Sequence, residues 1–110
     1  MSKTFSVKTL GCKLNQYDSG RISGALKRCG WIELPFGEKC DAVIVNTCTV
    51  TDNSDKKCRN YIRRAAQAGD VFVTGCLASR DGESVLSIPG VKAVYSNDDK
   101  ENLILDLEPS

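Results

Sequence analysis

Histidine is missing from all 110 residues. Its absence removes imidazole as a metal ligand and as a general base near neutral pH, so any metal site must rest on thiolate or oxygen. A long apolar run is missing as well. The longest, Ala42 to Val45, falls far short of the ~20 residues a membrane-spanning helix needs, and no membrane partner is expected. The first residues, from Met1 to Lys8, show neither the apolar stretch nor the cleavage signature of an export signal, so a cytoplasmic location is expected. Charge of one sign is lacking too. Fifteen basic and 14 acidic residues leave a net +1, a balance that by itself demands neither nucleic acid nor an acidic substrate. With no internal repeat, low-complexity tract or Pro-rich linker, the 41% hydrophobic content suits one compact domain, expected over 1–110.

What the chain does have is cysteine, six of them. In a secreted chain that number would suggest a disulfide framework. In a reducing cytosol, clustered cysteines more often bind metal or do chemistry.

Short β-branched runs alternate with amphipathic helical stretches, which predicts an α/β fold: a single Rossmann-like, three-layer domain with a mostly parallel sheet of about five strands. Thr4–Leu10 alternates as a first strand. Ile22, Leu26 and Cys29 mark a helix over Asn15–Cys29, closed by Gly30. Trp31–Leu34 reads as a short strand, and Ala42–Asn46 as a strand buried on both faces. Asp52, Asn53 and Ser54 are caps for a helix to about Ala68 with Cys58, Ile62 and Ala65 inward and Gly69 closing it. Val71–Thr74 is a fourth strand. A short helix near Glu83–Ser87, a strand over Val91–Tyr95 and a last helix capped by Asp98 and Asp99 complete the pattern.

Three cysteines repeat one position. Cys12, Cys48 and Cys76 each fall two residues past a predicted strand end. Parallel strands point their carboxyl ends at one edge, where open α/β sheets bind ligands. In the flavodoxin-like order 2-1-3-4-5, strands one, three and four are neighbours about 4.8 Å apart, so three short loops would deliver three thiols to one place. Cys29 and Cys58 lie instead on apolar helix faces, and Cys40 near the opposite edge. Three cysteines without histidine suit an iron–sulfur cluster better than closed four-ligand zinc, although the compact C-x-x-C spacing is absent.

The surrounding strings carry a resemblance. Thr9-Leu10-Gly11-Cys12-Lys13-Leu14-Asn15-Gln16-Tyr17-Asp18-Ser19, Val45-Asn46-Thr47-Cys48-Thr49-Val50 and Val73-Thr74-Gly75-Cys76-Leu77-Ala78 resemble the amino-terminal domain of the radical-SAM methylthiotransferases. Within that family the chain looks most like the branch acting on threonylcarbamoyladenosine in tRNA. The resemblance implies that Cys12, Cys48 and Cys76 ligate one auxiliary [4Fe–4S] cluster, in an enzyme that adds a methylthio group to a modified adenosine next to the anticodon. It also implies partners: tRNA, and the chain's own radical-SAM domain. The C-x-x-x-C-x-x-C motif of that domain is not in this sequence, so S-adenosylmethionine and a second [4Fe–4S] cluster would belong elsewhere, and this domain alone should not turn over. A further departure, Gly20 where the family often has an acid, costs a helix about 1 kcal/mol rather than a ligand.

Two groups have both a plain and a functional reading. Asn15, Asp18, Asn46 and Thr47, with Ser19, can start or support secondary structure, or hydrogen-bond around the cluster. Lys56, Arg59 and Arg63 form a helix face that is either solvated or faces RNA or a docked domain. Tyr17 and Trp31 are expected to pack. Two alternatives to the cluster stay open: a structural zinc or thiol-redox module, and a metal-free flavodoxin-like interaction domain.

Overall fold

The computed structural model describes residues 3–10, 13–47, 52–96 and 100–107. Five strands form one sheet: β1 (Thr4–Thr9), β2 (Ile32–Glu33), β3 (Ala42–Thr47), β4 (Asp70–Gly75) and β5 (Val91–Tyr95). Their order is β2-β1-β3-β4-β5 and every pairing is parallel. Four helices connect or follow them: α1 (Lys13–Arg28), α2 (Asp52–Ala66), α3 (Cys76–Leu86) and α4 (Lys100–Leu107). The expected three-layer α/β domain is what the chain forms.

Strand alternation builds two cores. Phe5, Ala42 and Ile44 face one side, where Ile22 and Leu26 of α1 and Leu103 of α4 cover them, with Trp31 edge-on to Phe5. Val43, Val45, Val71 and Val73 face the other, under Cys58, Ile62 and Ala65 of α2 and Leu77 and Val85 of α3. β3 is buried along its whole length, as an all-apolar central parallel strand should be. Between β5 and α4, the Tyr95 hydroxyl donates to Asp106. Burial pushes this phenol above its usual range, and the neighbouring carboxylate pushes it further.

Several expected boundaries shift. β2 is only Ile32–Glu33, and α2 stops at Ala66 with Asp52 already inside it. Asp98 and Asp99 lie outside the described residues. Gly69 stands three residues past the end of α2, with its amide still donating to the Ala65 carbonyl of the last turn at 3.2 Å. It lets two chain segments meet, since a Cβ there would lie 2.2 Å from the Cys40 carbonyl oxygen. The largest correction is α3, which starts at Cys76 rather than near Glu83 and runs 11 residues. Contrary to expectation Tyr17 does not pack and is 67% exposed, whereas Trp31 is buried as expected.

At the α1–β2 edge the Ser23 hydroxyl donates to Glu33, and Lys27 Nζ lies 3.1 Å from the same carboxylate. The Ser23 hydrogen bond, helped by Lys27, holds the Glu33 carboxyl below its ordinary pKa despite partial burial. A folded-state pKa below the unfolded one adds stability at neutral pH and loses it as pH falls through the folded value. Water screens this exposed pair. Glu33→Gln should therefore cost under about 1 kcal/mol in urea unfolding at pH 7, with the difference gone near pH 3.

Candidate functional site

Parallel register aligns the carboxyl ends of β1, β3 and β4. Thr9 is paired with Asn46, Asn46 with Thr74, and Thr47 with Gly75. Beyond Thr9 the Leu10 amide still donates to the Asn46 carbonyl at 2.9 Å, so β1 stays beside β3 to its last turn. Cys48 and Cys76 therefore follow directly on two paired residues, one position earlier than the expected spacing. Cys12 follows Thr9 by three. Cys12 and Cys48 themselves lie outside the described residues. Cys76 enters as a backbone position, the first residue of α3.

The sheet turns polar at this edge. On the α1 side Thr9, Asn46 and Thr74 form one cross-strand row. The Thr9 hydroxyl donates to Ser19 Oγ at 2.6 Å, and Asn46 Nδ2 donates to the same oxygen at 3.1 Å. Ser19, Asn46 and Thr74 are all buried. Thr74 Oγ1 has no hydrogen-bond partner among the described residues. A buried hydroxyl of this kind costs about 1–3 kcal/mol unless something outside the described set meets it.

On the other face Thr47 joins two turns. Its hydroxyl donates to the Thr74 carbonyl at 2.8 Å and accepts from the Leu77 amide at 3.1 Å. Leu77 N–H belongs to the first turn of α3, where backbone donors have no intrahelical partner. Gly75, the N-cap, makes no side-chain hydrogen bond, so Thr47 on the neighbouring strand does the capping. Gly75 has φ 102° and ψ −164°, a conformation essentially restricted to glycine. A Cβ on it would lie 2.1 Å from the Thr47 carbonyl oxygen and 2.9 Å from Asn46 Oδ1. The residues just before Cys48 and Cys76 are thus in direct backbone contact.

Helix ends complete the electrostatics. α1, α2 and α3 all begin at this edge, at Lys13, Asp52 and Cys76. The positive ends of three helix dipoles gather there and favour negative charge at this edge.

The other expected residues divide. Cys58 is buried in the α2–α3 core, Cys29 is half-buried just past α1, and Cys40 sits at the amino edge beside Ser6. Asn15 and Asp18 occupy α1 near its start, and their side chains lie outside the description. On α2, Lys56 and Arg63 are exposed, while Arg59 donates to Ser84 of α3 at 2.9 Å. A cleft of about 310 Å³ opens at the amino edge instead, lined by Lys3, Trp31, Asp41, Asp70 and Asp106. Asp41 is already bonded to Thr4 and Asp106 to Tyr95, so these two acids serve the fold.

The pattern is shared. A family profile described as Uncharacterized protein family UPF0004 matches residues 4–96. The chain is 38% identical to a threonylcarbamoyladenosine tRNA methylthiotransferase of Bacillus subtilis, over 92% of this chain and 23% of that one. It is 40% identical to a tRNA-2-methylthio-N(6)-dimethylallyladenosine synthase of Mycobacteroides abscessus, over 84% of this chain and 20% of that one. A synthase of the same description from Acidothermus cellulolyticus is 34% identical, over 96% and 23%. The chain thus spans about a fifth of the length of the curated relatives it matches.

Proposed function

The chain belongs to the UPF0004 family, and on that premise we propose that residues 1–110 are the auxiliary-cluster domain of a tRNA methylthiotransferase. In this reading Cys12, Cys48 and Cys76 hold one [4Fe–4S] cluster. The observation that carries it is the adjacency of β1, β3 and β4, since each of these strands leads into one of the three cysteines at a shared edge. The donor set fits the group. Three thiolates and no imidazole suit iron–sulfur, and three helix N-termini offset the charge they bring. Gly75, which leaves no room for a Cβ, lets the backbone close up under the site.

When bound, such a cluster has one iron not held by a protein thiolate, where a small sulfur donor can be presented to the substrate. The chain's own residues hold the thiolates in place. Thr47 couples the turn before Cys48 to the start of α3, and the Thr9–Ser19–Asn46 hydrogen bonds stiffen the opposite side of the same edge. The buried Thr74 hydroxyl, two residues before Cys76 in sequence and without a partner among the described residues, is a donor that such a cluster's surroundings would use.

The chemistry of methylthio transfer to a modified adenosine beside the anticodon needs more than this domain. The second [4Fe–4S] cluster and S-adenosylmethionine are assigned to the four-fifths of the relatives' length that lies beyond the match. By itself this domain binds the cluster and does not turn over. Relatives of both the threonylcarbamoyl and the dimethylallyl kind match at similar identity, and the first is our choice on the Gly11-Cys12-Lys13-Leu14-Asn15-Gln16-Tyr17 string. No helix among the described residues is long and apolar enough to cross a membrane. A cytoplasmic location agrees with a tRNA substrate.

The direct test is anaerobic reconstitution followed by iron, zinc and acid-labile sulfide analysis. Iron and sulfide in equal amounts, near four of each per chain, are expected. Stoichiometric zinc without sulfide would replace this reading with a structural or redox module, and no metal at all would favour an interaction domain.

A further inference from the structure

The helix α2 carries two cationic flanks, and the structure separates them. Cys58, Ile62 and Ala65 face the core. At 100° per residue, Lys56, Arg59 and Arg63 fall to one side of that stripe, toward α3, and Lys57, Tyr61 and Arg64 to the other, toward β1. The first flank is partly engaged: Arg59 donates to Ser84, and Arg63 reaches Asn60 at 3.4 Å. The second meets a cation from the sheet. Lys8 Nζ stands 4.5 Å from the Tyr61 ring centroid and 5.6 Å from that of Phe36. Arg64 Cζ lies 5.5 Å from the same Tyr61 ring, and the two rings pack edge to face at 5.9 Å.

Two cations share one ring, and the ring answers only part of their charge. A cation–π contact is worth about 0.5–1 kcal/mol at an exposed site and does not neutralise anything. Among the described residues no carboxylate pairs with Lys8, Lys57 or Arg64; Glu38, two residues from Phe36, is not bridged to any of them. The result, among the described residues, is a positive surface without a paired carboxylate, in which aromatic contacts hold Lys8 and Arg64 while Lys57 stands exposed one turn before Tyr61. It also has a location. Lys8 is the next-to-last residue of β1, near the carboxyl edge of the sheet, and from there the patch runs down the flank of α2 to Arg64 in its last turn.

We propose that Lys8 and Arg64, held against Tyr61 and Phe36, together with Lys57 on the same flank of α2, bind the ribose-phosphate backbone of an RNA strand that runs along this flank from the nucleotide brought to the cysteine edge. A polyanion supplies the charges this surface lacks, and pre-positioned cations lose little freedom in binding it. The sugar and base faces of a strand also suit the aromatic component, which a simple inorganic anion would leave unused. The proposal rests on the reading of the chain as part of an RNA-modifying enzyme and adds where the RNA lies.

Two double variants of equal charge test it: Lys57→Ala with Arg64→Ala, and Lys56→Ala with Arg63→Ala. Each is titrated with an RNA stem-loop of anticodon-arm size at several salt concentrations, with amide shifts of Lys8 and Tyr61 followed in the unaltered chain. The first pair is expected to weaken binding about tenfold at ~0.1 M salt and to flatten the log–log salt slope by about 1.4, at 0.7 per lost phosphate contact. The second pair should change affinity less than about twofold. Equal losses in both pairs, or unmoved Lys8 and Tyr61 amides, would reduce the patch to general electrostatics and overturn the proposal. Polyglutamate perturbing the same amides as strongly as RNA would overturn it in favour of an acidic protein surface. Iron and sulfide are measured on the same samples. RNA binding can then fail while cluster assembly stands, or the reverse.

Discussion

Replacing Cys12, Cys48 or Cys76 by alanine, one at a time, is expected to abolish stable cluster binding, whereas Cys29→Ala, Cys40→Ala and Cys58→Ala should retain it. The two groups differ by place in the fold. In sequence, Cys12, Cys48 and Cys76 follow the three adjacent strands β1, β3 and β4, whose carboxyl ends share one edge. Cys40 is at the amino edge, where its thiol bonds the Ala42 carbonyl, and Cys58 is buried in the α2–α3 core. On the proposed reading of three protein ligands, loss of any one would remove a third of the anchorage and leave two irons without protein thiolates. Cys58→Ala also removes a buried sulfur, which should cost about 1 kcal/mol of stability. Iron must therefore be counted per folded chain, with circular dichroism on the same sample. A folded Cys40 or Cys58 variant devoid of iron, or a Cys76 variant with full iron, would sink the ligand assignment.

Much of the architecture could be read from the sequence because it depends on local period. Ala42 to Val45 can only be a strand buried on both faces, and Ile22, Leu26 and Cys29 recur at helical spacing. The adjacency of β1, β3 and β4, the premise for gathering the three cysteines that follow them, is met by the sheet order. The start of α3 was not legible, and the reason is physical. A helix usually announces itself with Ser, Thr, Asp or Asn at its N-cap. Here the cap position is Gly75, and the capping hydroxyl comes from Thr47, 30 residues before Leu77 in the chain. No window along the sequence contains both partners.

The aromatic and cationic patch was hidden for a similar reason. Lys56, Arg59 and Arg63 form a visible set in the sequence because they are close along the chain. Lys8 looks like an ordinary polar position of an alternating strand. It gains significance only when β1, the loop bearing Phe36 and the flank of α2 bearing Tyr61 come together. Tyr17 erred in the opposite direction. An aromatic in an amphipathic helix is usually buried, yet the apolar face of α1 is already supplied by Ile22 and Leu26, and Tyr17 is left in solvent.

The strand–helix junction at Gly75 should be the most sensitive point outside the cysteines. Gly75→Ala meets two penalties at once. An L-residue at φ 102° and ψ −164° costs roughly 1–3 kcal/mol in backbone strain. The added methyl would also lie 2.1 Å from the Thr47 carbonyl oxygen, so β3 and β4 must part at this position. Parting them breaks the hydrogen bonds through the Thr47 hydroxyl, each worth about 1 kcal/mol. A total near 3–5 kcal/mol is expected, a third or more of the stability of a typical domain. That variant can lose its iron simply by unfolding, so Thr47 provides the discriminating measurement. Thr47→Val keeps the shape but strips the Leu77 amide of its acceptor and the Thr74 carbonyl of its donor, at about 2–3 kcal/mol. Thr47→Ser keeps the hydroxyl. If the hydroxyl sets the spacing between Cys48 and Cys76, the valine variant should be folded at low temperature yet lose cluster iron several times faster to a chelator. Serine should restore most of the wild-type rate, and amide exchange at Leu77 should follow the same order. A valine variant that is less stable but releases iron at the wild-type rate would confine Thr47 to holding the fold. The close approach of Gly75 to the Thr47 backbone, with the Thr47 hydroxyl bonded to both the Thr74 carbonyl and the Leu77 amide, is the reason the first outcome is expected.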